Sequence, residues 1–339
     1  MKTYEKIAEK GNDTKAMKEF KVNSNDAGQR LDKFMRKALP ELPLSVIYKA
    51  LRTKNVKVNR KRGKNDTRLN EGDIVQVYVK DDFFDAALQN KARAVNTDIE
   101  LDIVYEDGNI MIVNKPAGLP VHEVDGAKKT TLIDQAIALM IQRGEYRPDE
   151  ENTFVPALCN RIDQNTGGMV IIAKNAPSLR IMNEKIKKRE ITKKYLCATE
   201  GLPPKKEGKL ENFIEKDSTN NKVSVYDRRR SANSLTAITK YRLIERKDSI
   251  ALVEAELITG RTHQIRAQFA HNGFPLVGDV KYGVRSRATV KYQHQALYSY
   301  KLSFDFESDA DILEYLKGKT FTVKNVPFLE ELGFEYRVK

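Results

Sequence analysis

The segment Asn160, Arg161, Ile162, Asp163, Gln164, Asn165, Thr166, Gly167, Gly168 runs without a break into the apolar residues Met169, Val170, Ile171 and Ile172. This reads as a buried strand entered through a tight turn, with a carboxylate and a guanidinium at its mouth. Arg161 and Asp163 stand two apart, so in extended chain both side chains point to the same face. The two glycines allow positive φ or the close approach of a ligand. Taken alone, the pair is most simply a surface ion pair or a turn-capping aspartate, and the glycines a strand-entry turn. The rest of the sequence has to supply a stronger meaning.

The chain has 339 residues, enough for two domains and conceivably three. Residues 1–17 are polar and charged and are expected to be loosely ordered. Residues 18–80 form a compact pattern. Phe20 and Val22 alternate as a short strand, and Asp26, Ala27 and Gly28 make a turn. Leu31, Phe34, Met35 and Ala38 then repeat at the spacing of one buried helical face. Ser45 is the expected N-cap of a second helix with Ile47, Ala50 and Leu51 inward. Val56 and Val58 predict a strand, and Ile74, Val75, Val77 and Val79 finish the module. Residues 81–97 change character and read as a linker. From about residue 98 to 339, Val- and Ile-rich runs alternate with turns, and helical stretches fall at 130–143 and 177–189. The expected fold class is α+β, with a mixed, largely antiparallel sheet flanked by helices in the second domain.

The net charge is +13 and is unevenly spread. Residues 1–80 hold 20 Lys/Arg against 10 Asp/Glu, which leaves only +3 on the remaining 259 residues. The asymmetry points to a polyanion partner for the N-terminal part. Arg30, Lys33, Lys49, Arg52, Lys57, Arg60 and Lys61 are the candidate contacts, on one helical face and an adjoining loop. The two cysteines, Cys159 and Cys197, form no C-x-x-C pair, and the four histidines are scattered, so neither a disulfide framework nor a metal centre has sequence support. No apolar run approaches the roughly 20 residues of a membrane span. The N-terminal stretch has no apolar core of the kind a secretory signal carries, and the expected location is cytoplasmic.

Three further segments carry polar residues in unusual settings. "VNKPAGLPVHE" places Lys115 in a rigid turn and His122 shortly after it. "KKYLCATEG" places Tyr195 in a strand. "TGRTHQIRAQFAHNGFPLVGDVKYG" brings Arg261, His263 and Arg266 together between a turn and a helix-like stretch, a composition suited to holding an anion.

In this order, and followed by "HQALYSYKLSF", these segments resemble the large-subunit rRNA pseudouridine synthases of the RluA, RluC and RluD group. The resemblance runs from about residue 18 to 308. Residues 18–80 resemble the α-L RNA-binding module named after a small-subunit ribosomal protein, through "RLDKFM", "LSVIYKALRTKNVKVN" and "LNEGDIV". The resemblance implies a pseudouridine synthase fold over 98–339 and a cofactor-free isomerase. RNA would be the partner, as large-subunit rRNA or an assembling ribosomal subunit, with a monomer as the default state. It implies that Asp163 is the catalytic aspartate, that Tyr195 stacks on the uracil, and that Arg266 pairs with Asp163. Arg161 would hold the flipped-out nucleotide or fill its vacated place. Lys115, Arg261 and His263 would bind substrate, and His122 would support the site. The chain departs from the family pattern at Asn160, Ile162, Gly167 and Gln268.

The chemistry this implies breaks the N-glycosidic bond, turns the uracil and joins C5 to C1′. A carboxylate can serve as nucleophile or as base. In a closed pocket desolvation favours the neutral acid, and an arginine partner opposes it. Two other readings stand beside this one: a non-catalytic rRNA-binding assembly factor, and a metal-dependent nuclease, which would need further carboxylates near Asp163, where the motifs offer only Asp279, read more simply as a turn residue.

Overall fold

The computed structural model describes residues 5–7, 15–80, 99–123, 130–217, 222–283, 292 and 294–339. The linker expected at 81–97 lies outside the described residues. The described chain divides into two compact units.

The first unit contains β1 (Glu5–Ile7), β2 (Lys15–Lys21), α1 (Leu31–Ala38), α2 (Leu44–Arg52), β3 (Val56–Val58), β4 (Lys61–Arg62) and β5 (Ile74–Lys80). The strands form an antiparallel sheet in the order β1-β2-β5-β3-β4. Strand therefore reaches into residues 5–7 and 15–17, which had been expected to be loosely ordered. Backbone pairing holds them, β1 on β2 and β2 on β5, and nothing in the sequence signalled it. Leu31, Phe34, Met35 and Ala38 are buried, as their spacing predicts. Phe20 meets Phe34 edge to face at 5.8 Å, so β2 and α1 share one core. The second helix starts at Leu44, with Pro43 rather than Ser45 in the capping position. The Pro43 carbonyl accepts the N–H groups of Val46 and Ile47, so no side-chain cap is used.

The unit's first segment ends at Ile99, and the unit also takes in Ala136–Pro156 and Lys174–Pro177. The cause is a hydrogen-bond cluster. Asp26 is fully buried and accepts from Asn152 Nδ2 at 2.7 Å and Thr153 Oγ1 at 2.6 Å. The amides of Asn23 and Asn25 both donate to the Glu151 carboxylate. A buried carboxylate needs such partners, and these come from a distant part of the chain.

The second unit comprises Glu100–Gln135, Ala157–Ala173 and Ser178–Lys339. Its elements are β6 (Ile103–Glu106), β7 (Ile110–Lys115), α3 (Leu132–Gln142, entering the first unit at Ala136), β8 (Ala157–Leu158), β9 (Gly167–Ala173) and α4 (Ala176–Lys188, whose first residues belong to the first unit). They continue with β10 (Ile191–Glu200), β11 (Glu207–Asp217), β12 (Lys222–Tyr226), β13 (Leu235–Lys247), β14 (Ile250–Leu257), α5 (Gln264–His271), β15 (Leu297–Phe304), a 3-10 helix (Asp311–Leu316), β16 (Thr320–Thr322) and α6 (Pro327–Glu331). Among the described residues the sheet runs β12-β11-β13-β14-β10-β15-β9-β7-β6, with β16 on β15 and β8 on β9. Every recorded pairing is antiparallel except β9 with β15. The expected mixed, largely antiparallel sheet with helices is the fold observed. No helix among the described residues is long and apolar enough to cross a membrane.

All seven residues of β9 are buried, because this strand is covered on both faces. Its parallel contact pairs Gly167 with Tyr298 and Gly168 with Ser299. The two glycines make that contact sterically feasible. A Cβ on Gly167 would lie 2.5 Å from the Tyr298 ring. Gly168 has φ +109°, and a Cβ there would lie 2.3 Å from the Ser299 carbonyl oxygen. The Thr166 N–H donates to the Asp163 carbonyl at 3.0 Å and closes the turn in front of them.

Gly168→Ala should therefore destabilise the protein by about 3 kcal/mol or more, through steric overlap added to backbone strain. Gly318→Ala shares the strain at φ +76° but meets nothing within 4 Å, and should cost only about 1 kcal/mol. Urea unfolding of both variants checks this; equal losses would show that close packing on β15 is not what selects Gly168.

Candidate active site

One row across the sheet organises the site. Tyr195 on β10 faces Ser299 on β15, Ser299 faces Gly168 on β9, and Gly168 faces Lys115 on β7. Residues opposite each other in a sheet present their side chains to the same face. Three of the expected site segments thus converge, although Lys115 and Tyr195 stand 80 positions apart in the sequence. Asp163 enters from the turn ahead of β9, and α5 supplies the fourth group.

That group is Arg266. Its Nη1 donates to Asp163 Oδ2 at 2.8 Å. Its Nε and Nη2 donate to the two oxygens of Asp279 at 2.7 and 2.9 Å. Arg266 and Asp279 are buried at 6% and 1% exposure, while the Asp163 side chain keeps 25%. The buried pair thus presents one remaining guanidinium edge to a carboxylate that solvent can reach. Burial works against the charge of Arg266, but hydrogen bonding and attraction from Asp279, joined by Asp163, raise its pKa above the ordinary value. Burial would likewise push Asp279 up. Arg266 and the N–H groups of Lys281 and Tyr282 outweigh it and hold the carboxyl below its usual range.

His263 occupies the capping position of α5 in a left-handed conformation, φ +51°. Its Nε2 lies 3.9 Å from Asp163 Oδ2, and its Nδ1 is 2.8 Å from the Tyr282 hydroxyl. That hydroxyl also accepts the Val223 N–H, which holds the Tyr282 ring beside the imidazole. Burial lowers the His263 pKa, opposed by Asp163 and reinforced by Arg266, so the ring is neutral near pH 7.

Lys115, expected to bind substrate, does something else. It is fully buried, and its Nζ donates to the carbonyls of Pro116, Leu119 and Gln164 at 2.8, 2.8 and 2.7 Å. All three ammonium protons are donated to the loops flanking Asp163. Burial pushes its pKa down to about 7, and the charge of Asp163 opposes that shift. Tyr195 is 5% exposed, and burial pushes its phenol up to about 12, so it is neutral near pH 7. It lines a cavity of about 610 Å³ together with Asn160, Arg161 and Arg261. Arg261 is braced by its Nε on the Thr236 carbonyl. His122 feels the positive charge of Arg161, which adds to burial in lowering its pKa.

The departures from the family pattern have local causes. Asn160 Oδ1 accepts the Ile171 N–H of β9. Gly167 leaves room for the Tyr298 ring. Gln268 is fully buried; it accepts from Thr239 Oγ1 and donates to Asn212 Oδ1 and the Ala237 carbonyl, fastening α5 to the sheet. Asp279 and Tyr282 were not singled out by the sequence, where Asp279 read as a turn residue. It is one, through the Lys281 and Tyr282 N–H groups, and it also anchors Arg266. No cluster of three or more metal-ligating side chains occurs among the described residues.

In the first unit, Lys33, Lys49, Arg52, Arg60 and Lys61 are exposed. Lys57 lies over the Tyr78 ring at 5.1 Å. Arg30 is tied to Asp32 by two hydrogen bonds and so contributes less free positive charge than expected.

Asp279→Asn should cost about 3 kcal/mol at pH 7, because Arg266 loses its buried counter-charge. Asp279 has a depressed folded pKa, so its contribution is fully present above the ordinary aspartate value of about 3.9 and is lost as pH falls through the lower folded value. Urea unfolding should show an equal gap between wild type and variant at pH 7 and 5, narrowing below about pH 4. A gap that stays constant to the lowest accessible pH would remove charge from the explanation.

Residues 109–271 match the RNA pseudouridylate synthase family. The chain is 30% identical over 315 residues to an uncharacterized RNA pseudouridine synthase of Mycoplasma capricolum subsp. capricolum, an alignment covering 91% of this chain and 98% of that protein. It is 34% identical over 275 residues to the ribosomal large subunit pseudouridine synthase C of Rickettsia bellii, covering 77% and 85% of the two chains. The solved structure of human RNA pseudouridylate synthase domain containing 4 superposes with a TM-score of 0.55 at 25% identity, over 69% of this chain and 94% of that one. With its mixed sheet and with Asp163, Tyr195 and Arg266 gathered on one side of it, the chain belongs to the RNA pseudouridine synthase family.

Proposed function

We propose that this RNA pseudouridine synthase isomerises uridine in large-subunit ribosomal RNA, in the cytoplasm, with Asp163 as its catalytic carboxylate. The observation that carries the reading is the shared arginine: a solvent-reachable carboxylate faces a guanidinium whose charge is secured from behind by a buried second carboxylate. The substrate assignment rests on relatives named as ribosomal large subunit pseudouridine synthase C.

In this reading Asp163 acts on the ribose while the C1′–N1 bond breaks. The uracil turns within the pocket and C5 bonds to C1′. The C5 proton leaves to water and N1 ends protonated, so atoms balance with no redox partner. Tyr195, a neutral phenol, stacks on the uracil. Arg161 and Arg261 hold the nucleotide, and His263 supports Asp163 from the side. Flipping the uridine out costs a few kcal/mol, least in loops and bulges. Lys33, Lys49, Arg52, Lys57, Arg60 and Lys61, with a lesser part for Arg30, offset some of that cost by sequence-independent phosphate contacts.

The test uses large-subunit rRNA transcript, and ribosomal subunits, carrying tritium at uridine C5. Wild type should release tritium to water, and Asp163→Asn should lose at least about 10³-fold in rate. Release by neither protein from any of these RNAs would favour a binding factor that has kept the fold. Equal release by both would assign the chemistry to another group.

A further inference from the structure

The cavity beside Tyr195 is lined on one side by residues that the proposed mechanism does not use. Lys187, at the end of α4, Arg189, just beyond it, and Lys193, on β10, share that cavity with Arg161 and Arg261. Glu256 is the one acidic residue in the lining, and it faces Lys240 at 3.8 Å. Among the described residues none of Lys187, Arg189, Lys193 and Arg161 takes part in a salt bridge. Their neighbours are treated differently: Lys185 is spent on Glu190, Lys188 on Glu184, and Lys194 on Glu254. Within residues 185–195, the cations lining the cavity are those with no carboxylate partner.

Global charge does not account for this. Residues 81–339 carry only +3, so four unpaired cations around one cavity stand out against an almost neutral background. A helix C-terminus attracts cations, but Lys188 already supplies one there. Arg189 adds a second sign. It has φ +63°, the left-handed conformation that closes helices and that glycine adopts without strain. Keeping a side chain at that position costs stability, so a guanidinium there points to use rather than packing. Lys193 is partly buried with no counter-ion, and burial lowers its pKa, a state that an incoming anion would relieve. The cavity volume of about 610 Å³ lies within the range, about 300–1,000 Å³, of cavities that enclose small ligands.

We propose that Lys187, Arg189 and Lys193 form a phosphate-binding rim that grips the RNA backbone next to the target uridine and so orients the flipped base toward Tyr195. The ligand is the phosphodiester of single-stranded or looped RNA. The inference rests on the functional reading above and adds to it a positioning element outside the residues that act on the nucleoside.

The experiment measures tritium release from labelled rRNA by wild type, Lys187→Gln, Lys193→Gln, Arg189→Gln and Arg189→Gly across a salt series. Each variant should raise KM about tenfold with kcat held within about twofold, since a charge-assisted contact to bound RNA is lost. Each should also flatten the plot of log kcat/KM against log salt by about 0.7, the share of one phosphate contact on a single strand. Arg189→Gly should do this while unfolding at a higher urea concentration than wild type, which separates lost RNA grip from lost folding. KM and salt slope unchanged in all four variants, with wild type active, would overturn the rim and leave the functional reading intact. A wild type that releases no tritium from any rRNA form would overturn the functional reading instead. Direct binding of the same transcript across the salt series would then decide the rim, an unchanged slope counting against it.

Discussion

A buried arginine is an expensive way to hold one carboxylate, and much of this site follows from how that cost is met. Removing a guanidinium from water is unfavourable unless its donors are satisfied with good geometry. Asp279 takes two of them bidentately and is itself held by the N–H groups of Lys281 and Tyr282. The guanidinium plane is thereby fixed before any substrate arrives, and its free edge can point in one direction only, at Asp163. A lysine in that place would offer a point charge without orientation. The turn after α5 is therefore part of the site, although none of its side chains need touch the nucleotide.

The sheet places the other groups with equal economy. Because β9 runs parallel to β15 while its other partners are antiparallel, Gly168 falls in register with Ser299, and through it Tyr195 and Lys115 join one row. A one-residue slip of β9 would turn that row to the opposite face. The glycines prevent the slip by fitting only where Tyr298 and Ser299 press against them. Lys115 then fastens the loops at both ends of the row through three carbonyls. The carboxylate stands at a rigid edge rather than on a free loop.

What the sequence revealed and what it hid divide along physical lines. Elements with a strong hydrophobic period were legible: α1, α2, β7, β9, β10 and β14 lie where their apolar residues imply. Strands β11 and β12 were missed, because most of their residues are exposed or half-exposed and their sequences are as polar as loops. The inclusion of Ala136–Pro156 in the first unit was not legible, because the side-chain hydrogen bonds around Asp26 that draw residues near 152 there are invisible to periodicity. In the site, the pairing of Asp163 with Arg266 came from a family resemblance and is present in the geometry. The burial of Lys115 did not follow from its motif, since a lysine beside a proline turn reads equally well as a surface group. Asp279 was visible as a turn former, and only its distance to Arg266 shows the second use.

The uneven charge acquires a division of labour from this arrangement. Long-range attraction depends on total charge within a Debye length and tolerates imprecise placement, which is the character of the +10 carried by the first 80 residues. Orientation of one nucleotide needs few charges in fixed positions and little net charge, because excess attraction would hold every phosphate alike. The charges beside Tyr195 are placed in that way: Lys185, Lys188 and Lys194 are spent on carboxylates, while Lys187, Arg189 and Lys193 line the cavity with no salt-bridge partner among the described residues. Taking a base out of its stack costs least in loops and bulges, and a few fixed charges leave that difference standing.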